Sequence, residues 1–112
     1  MKIFGLKNCD TCRKAFSKLN EKGFNVEFID IRLTPLNSTQ VKRFLEVFGC
    51  QLINKRSTTW RKLTEAEKML PIEKLIELSP TVIKRPIIEC DALFIGWNRE
   101  VETALEMSNG NL

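Results

Sequence analysis

Cys9 and Cys12 lie three residues apart in Asn8-Cys9-Asp10-Thr11-Cys12-Arg13, where a short apolar stretch meets a helical pattern. No other feature restricts the fold so tightly, because a Cys-x-x-Cys near a βαβ pattern reads as a redox motif. The thiolate is the reactive species, so such a site must make a negative sulfur favourable. Backbone N–H groups at the start of the helix point toward Cys9 and favour negative charge. Lys7, Arg13 and Lys14 add positive charge nearby, and Asp10 opposes them. Cys12, Ala15, Phe16 and Leu19 fall at i, i+3, i+4 and i+7, which turns Cys12 toward the core. Cys9 precedes that stripe and is expected at the accessible tip. It is read as the attacking thiol, with Cys12 as a less exposed resolving thiol. The competing interpretation is a pair of small core residues. The flanking strand and helix favour chemistry.

At 112 residues the chain has the size of one domain, 1–112, with a single core. Hydrophobic residues at 43% and charged residues at 29% describe an ordinary soluble composition, which leaves function to the motifs. A net charge of +4 without a clustered basic stripe gives no reason to expect direct nucleic-acid binding. No secretory h-region follows Met1-Lys2 and no apolar run reaches spanning length, so a cytoplasmic address without membrane association is expected. There is no histidine and no tyrosine. Cys–His catalysis, His metal ligation and tyrosine acid–base chemistry are therefore excluded. A structural zinc site wants a second close Cys pair, whereas Cys50 and Cys90 stand alone. No metal is expected, and both cysteines are read as small buried hydrophobes.

Residues 2–6 read as a buried strand, 11–22 as a helix ending at Gly23, and 24–31 as a second strand. Together they form a βαβ unit with parallel strands. Asn37 with Gln40 marks a capping box, and Val41, Phe44, Leu45 and Phe48 give a second helix stopping near Gly49. A polar, basic loop covers 54–62. Thr64 with Glu67 opens a short helix, and Pro71 suits the first position of another that ends before Ser79-Pro80. Ile87-Ile88 and Leu93-Phe94-Ile95 read as a hairpin. Asn98 caps a last helix, with Trp97, Val101, Ala104 and Leu105 on one face, and 108–112 reads as a frayed tail. The order is βαβ, a helical insert, then ββα. An α/β fold with a mixed four-stranded sheet accommodates it.

Three segments carry a resemblance: Lys7-Asn8-Cys9-Asp10-Thr11-Cys12-Arg13-Lys14-Ala15, Lys55-Arg56-Ser57-Thr58-Thr59-Trp60-Arg61-Lys62-Leu63 and Ile83-Lys84-Arg85-Pro86-Ile87-Ile88. Together they resemble the ArsC/Spx family of thioredoxin-like proteins, nearly end to end. The Thr-Thr-Trp-Arg-Lys-Leu run is similar to the YffB-type branch of glutathione-dependent thiol reductases. The paired cysteines look more like Spx, a redox-sensing regulator that binds RNA polymerase. The resemblance implies a nucleophile at Cys9, a second redox cysteine at Cys12 able to form a disulfide with it, and catalytic arginines at Arg56 and Arg85. It also implies a cis-proline at Pro86 and a substrate-binding surface including Asn8, Arg13, Trp60 and Pro86. Guanidiniums beside a thiolate lower its pKa and can grip an oxyanion or a glutathione carboxylate. Trp60 either walls a ligand pocket or anchors the loop.

Two function classes follow from that resemblance. One is a thiol-dependent reductase with no bound cofactor, acting on a small oxyanion such as arsenate or on a disulfide. Its reductant would be glutathione with glutaredoxin, or thioredoxin. The other is an Spx-like redox-sensing transcriptional regulator that binds the RNA polymerase alpha subunit. One departure weakens arsenate as substrate: Trp97 stands where arsenate reductases of this type carry a further arginine.

Overall fold

The computed structural model describes residues 1–108. Of the tail expected at 108–112, Ser108 instead ends the last helix, and the remainder lies outside the described residues. The chain divides into two compact units, Met1–Asp30 with Arg85–Leu112, and Ile31–Lys84.

The first unit holds a four-stranded sheet of order β2-β1-β3-β4. Its strands are β1 (Lys2–Gly5), β2 (Glu27–Asp30), β3 (Ile87–Glu89) and β4 (Leu93–Ile95). β1 pairs in parallel with β2, Lys2 opposite Glu27 and Gly5 opposite Asp30, as the βαβ reading requires. On its other edge β1 runs antiparallel to β3, which forms the expected hairpin with β4. Helices α1 (Asp10–Glu21) and α6 (Arg99–Ser108) complete the unit. Ile3, Ala15, Leu19, Ile88 and Leu105 form its buried cluster, with Phe16, Phe28, Trp97 and Val101 packed around it. Fully burying each Ile or Leu contributes about 1.5–3 kcal/mol before the entropy of ordering is counted. Phe16 and Phe28 meet edge to face at 5.6 Å. Lys22 joins the end of α1 to α6 through Glu102 at 2.8 Å and also Glu106. Asn98 caps α6 as expected, accepting the Val101 N–H at 2.9 Å.

The second unit is the helical insert. Helix α2 (Ser38–Phe48) begins on the full Asn37–Gln40 capping box and buries Val41 and Phe44. Three short helices follow: α3 (Thr58–Arg61), α4 (Glu65–Lys68) and α5 (Ile72–Leu78). Single 3₁₀ turns lie at Gly49–Leu52 and Pro80–Val82. An isolated bridge between Ile53 and Ile83 ties the middle of the insert to its C-terminal end, backed by Asn54 N–H to Val82 O at 2.8 Å and Lys84 N–H to Leu52 O at 2.9 Å.

Four details differ from expectation. The segment 54–62 is not all loop, because Ser57 accepts the Trp60 N–H and nucleates α3. Pro71 caps α5 rather than opening it. The second strand is only Glu27–Asp30, since residues 24–26 lie outside the ladder. Cys50 is exposed and Cys90 half-buried, so neither is the buried hydrophobe expected. Cys50 falls in the 3₁₀ turn after α2, where the apolar periodicity of the helix no longer applies.

Candidate active site

Cys9 is the N-cap residue of α1, with extended backbone angles (φ −93°, ψ 120°). Its N–H bonds to Leu6 O at 3.1 Å, and its carbonyl takes the Arg13 N–H at 3.0 Å, closing the first helical turn. The preceding loop is pinned separately. The buried Asp30 carboxylate accepts the Lys7 N–H at 3.1 Å, tying the loop to the end of β2. Cys9 is partly accessible, while Cys12 one turn on is fully buried. Both match the expected exposures.

Cys12 reaches its position because residue 5 has no side chain. A Cβ at Gly5 would lie 2.5 Å from Cys12 Sγ and 3.2 Å from its Cβ. Arg85 approaches from the start of β3, half-buried, and the Arg85–Pro86 bond is cis. Pro86 is buried, and its carbonyl takes the Gly96 N–H at 2.8 Å, with Gly96 at a positive φ of 79°. A glycine suits that angle, which other residues adopt at a cost.

These neighbours separate the two thiols. Burial pushes the Cys9 thiol upward, but the Cys12 N–H, the Cys12 S–H and the Arg85 guanidinium together hold it below the ordinary 9.0. The resting thiol does not itself cap the helix with a hydrogen bond. The Cys12 N–H nonetheless favours the charged sulfur, since an orphan N–H at a helix start attracts an anion. Cys12 is pushed the other way, up to about 12, first by burial and then by the charge on Cys9. Leu6 N–H and Arg85 oppose that rise. The surroundings thus favour the anion at Cys9 and the proton at Cys12.

The remaining expected residues have different surroundings. Asn8 is exposed beside Cys9. Arg13 points to Asp10 in an exposed ion pair, so each largely cancels the influence expected of the other on Cys9. Arg56 and Trp60 belong to the second unit. Arg56 is exposed, its backbone N–H held by Asn54 Oδ1 at 3.0 Å. Trp60 is half-buried, with Lys55 and Lys68 ammonium groups 5.5 and 5.7 Å from its ring centroid. Among the described residues no cluster of three metal-ligating side chains occurs. No helix among them is long and apolar enough to cross a membrane. Sequence reasoning missed Gly5 and Asp30. A glycine inside an apolar strand and an acid ending another were the available signals.

Comparison with known proteins places this geometry in a family. A profile described as the ArsC family matches residues 4–104. The global transcriptional regulator Spx of Listeria innocua is 31% identical over 88% of this chain and 80% of its own. Among solved structures, a protein named YFFB is similar with a TM-score of 0.82 and 32% identity, covering 92% of this chain and 96% of its own. An arsenate reductase (ArsC) related protein from Brucella melitensis is 33% identical with a TM-score of 0.71, over 92% of this chain and 91% of its own. The fold is the thioredoxin-like one of those proteins, with the mixed sheet and helical insert already described. With a family match across nearly all its length and these relatives beside it, the chain belongs to the ArsC family.

Proposed function

We propose that this protein is a thiol-dependent reductase in which Cys9 attacks and Cys12 or glutathione resolves. The observation that carries the reading is the division between the two sulfurs: Cys9 is accessible at the helix start with its pKa held down, and Cys12 is buried one turn on with its pKa pushed up. Membership of the ArsC family and likeness to an arsenate reductase related protein support it.

With a mixed disulfide as substrate, Cys9 Sγ⁻ attacks one sulfur, forms a new S–S bond and expels the other as a thiolate. With arsenate, the same sulfur bonds to arsenic and displaces an oxygen as water. Either step removes the negative charge from Cys9, and with it two of the influences that hold the Cys12 proton. Cys12, or an incoming glutathione, then loses its proton and attacks Cys9 Sγ. The leaving group departs with the electron pair, as a thiolate or as arsenite, and a disulfide remains on the protein. A Cys9–Cys12 disulfide is returned to two thiols by two equivalents of glutathione, or by one reduced glutaredoxin or thioredoxin, and a Cys9–glutathione disulfide needs one further thiol. Arg85 steadies the anionic sulfur and presents a bidentate donor to an oxyanion or carboxylate. Asn8, Arg13 and Pro86 are proposed to contact the substrate, and Arg56 and Trp60 keep the catalytic and substrate-binding roles that the family resemblance implies for them.

The test is NADPH consumption coupled through glutathione reductase and glutaredoxin, comparing arsenate with a glutathione mixed disulfide. Turnover that vanishes in Cys9→Ser establishes the enzyme, and the preferred substrate selects the branch. Unchanged turnover in that variant overturns the assignment.

A second reading follows from likeness to the regulator Spx and from the paired cysteines. In it, a Cys9–Cys12 disulfide changes a surface that binds the RNA polymerase alpha subunit. A pull-down with the C-terminal domain of that subunit, run in both redox states, decides it. Failure to bind in either state excludes this version.

A further inference from the structure

Gly5 is the last residue of β1, at the point where that strand passes under the first turn of α1. Glycine is a poor strand residue, because it costs backbone entropy and offers nothing to pack. Its presence is usually explained by a positive φ, but among the described residues only Gly23, Gly49 and Gly96 have one. The backbone at position 5 would accept any L-residue. What it would not accept is volume on the α1 side. An added Cβ would sit 2.5 Å from Cys12 Sγ, closer than nonbonded carbon and sulfur approach. Phe28 at 3.6 Å makes only an ordinary contact with the same point.

Resting on the reading of Cys9 and Cys12 as the reacting pair, we infer that Gly5 is a positioning residue. By lacking a side chain it opens the seat in which the Cys12 thiol lies against β1, within reach of Cys9. The thiol has no easy alternative seat. Cys12 has no exposed surface, and the rotamer that turns a side chain back into the preceding turn is rare in helices. A methyl group at position 5 must therefore displace the sulfur, the α1 start, or both. In any of these cases the Cys12 S–H and N–H lose their alignment on Cys9. The same seat places Cys12 Sγ near the Leu6 N–H, the next residue along the strand. One missing methyl thus arranges both contacts of the buried sulfur.

The experiment uses four forms of the full chain: unaltered, Gly5→Ala, Cys12→Ala, and the two substitutions combined. The first readout is the pH dependence of Cys9 alkylation by iodoacetamide, followed by mass spectrometry on the Cys9 peptide. The unaltered protein should show a midpoint below 9.0. Gly5→Ala should raise that midpoint in the same direction as Cys12→Ala. The combined form should go no further than Cys12→Ala alone. The second readout is the thermal midpoint. With Sγ removed, the new methyl meets only the β-carbon at 3.2 Å, a contact that a small shift relieves. Gly5→Ala should therefore lower the melting temperature substantially when Cys12 is present and much less when it is absent.

An alkylation profile for folded Gly5→Ala superimposable on that of the unaltered protein overturns the inference. So does an equal loss of melting temperature in both backgrounds. Should Gly5→Ala not fold at all, the combined form decides: folding rescued by Cys12→Ala supports the seat, and no rescue overturns it. An unaltered midpoint at or above 9.0 removes the reductase reading instead, and the melting comparison still judges Gly5.

Discussion

Helices α1 and α2 begin in opposite ways. At α2, Asn37 Oδ1 accepts the Gln40 N–H at 2.8 Å, and Gln40 Oε1 accepts the Asn37 N–H at 2.9 Å. Helix α4 repeats the device with Thr64 and Glu67. Helix α1 begins on Cys9 with no side-chain cap bond at all. A good cap stabilises a helix by about 1 kcal/mol, and α1 forgoes it. The N–H that a serine or aspartate would have occupied is left facing a sulfur that becomes an anion. The difference separates a helix start that stabilises the fold from one that is kept for reaction.

Cys9→Ser breaks the contrast most severely. It supplies a hydroxyl cap and removes the nucleophile in one change. Turnover should fall by at least about a thousandfold, in line with removal of other nucleophiles. The denaturation midpoint should rise, by an amount corresponding to about 0.5–1 kcal/mol. A kinetic assay and a urea titration on the same preparation check both halves.

Arg85→Met tests the electrostatic side. The Cys9 alkylation midpoint should move up toward 9.0, with thiolate at neutral pH falling about tenfold for each unit recovered. Stability should also depend on pH in two directions. The folded Cys9 value lies below 9.0, so its contribution is present above the unfolded value and is lost as pH falls through the folded one. Cys12, at about 12, behaves inversely. Its contribution is intact below 9.0 and is lost between 9.0 and about 12, where the unfolded chain releases a proton that the folded chain keeps. Urea unfolding across that alkaline window should show a decline that Cys12→Ala lacks.

Much of this arrangement was legible in the chain itself. Both capping boxes, the inward turn of Cys12, the βαβ unit and the β3–β4 hairpin follow from periodicity, cap and turn residues, which are local signals, whereas the β1–β3 pairing that orders the sheet is not. Arg85 beside Cys9 is not local, and only the family resemblance singled it out. The burial of Asp30 and the clearance above Gly5 depend on strand register, which periodicity does not specify to the residue. Cys50 departs from expectation because the general tendency of free cysteines to be buried says nothing of a given position, and this one falls in an exposed 3₁₀ turn after α2.

Smaller effects sharpen the comparison from the other end. Asn37→Ala should cost about 1 kcal/mol, read by urea unfolding, and leave Cys9 alkylation unchanged. Asp10→Asn, which frees Arg13 from its exposed partner, should alter stability by only a few tenths of a kcal/mol. A large shift of the Cys9 midpoint in that variant would mean that the ion pair, rather than the helix start and Arg85, governs the thiol.

The strand order carries a consequence for timing. Lys2 pairs with Glu27 on one edge, across the short span of α1, but its partner on the other edge is Glu89. Closing so wide a loop is slow as well as entropically costly. On a ribosome adding on the order of 5–20 residues per second, the cysteines emerge several seconds before Arg85. For that interval the nascent chain carries Cys9 without its guanidinium and without β3 beside β1. Full reactivity therefore belongs to the finished molecule, because the unfinished one leaves the tunnel without the share that Arg85 contributes.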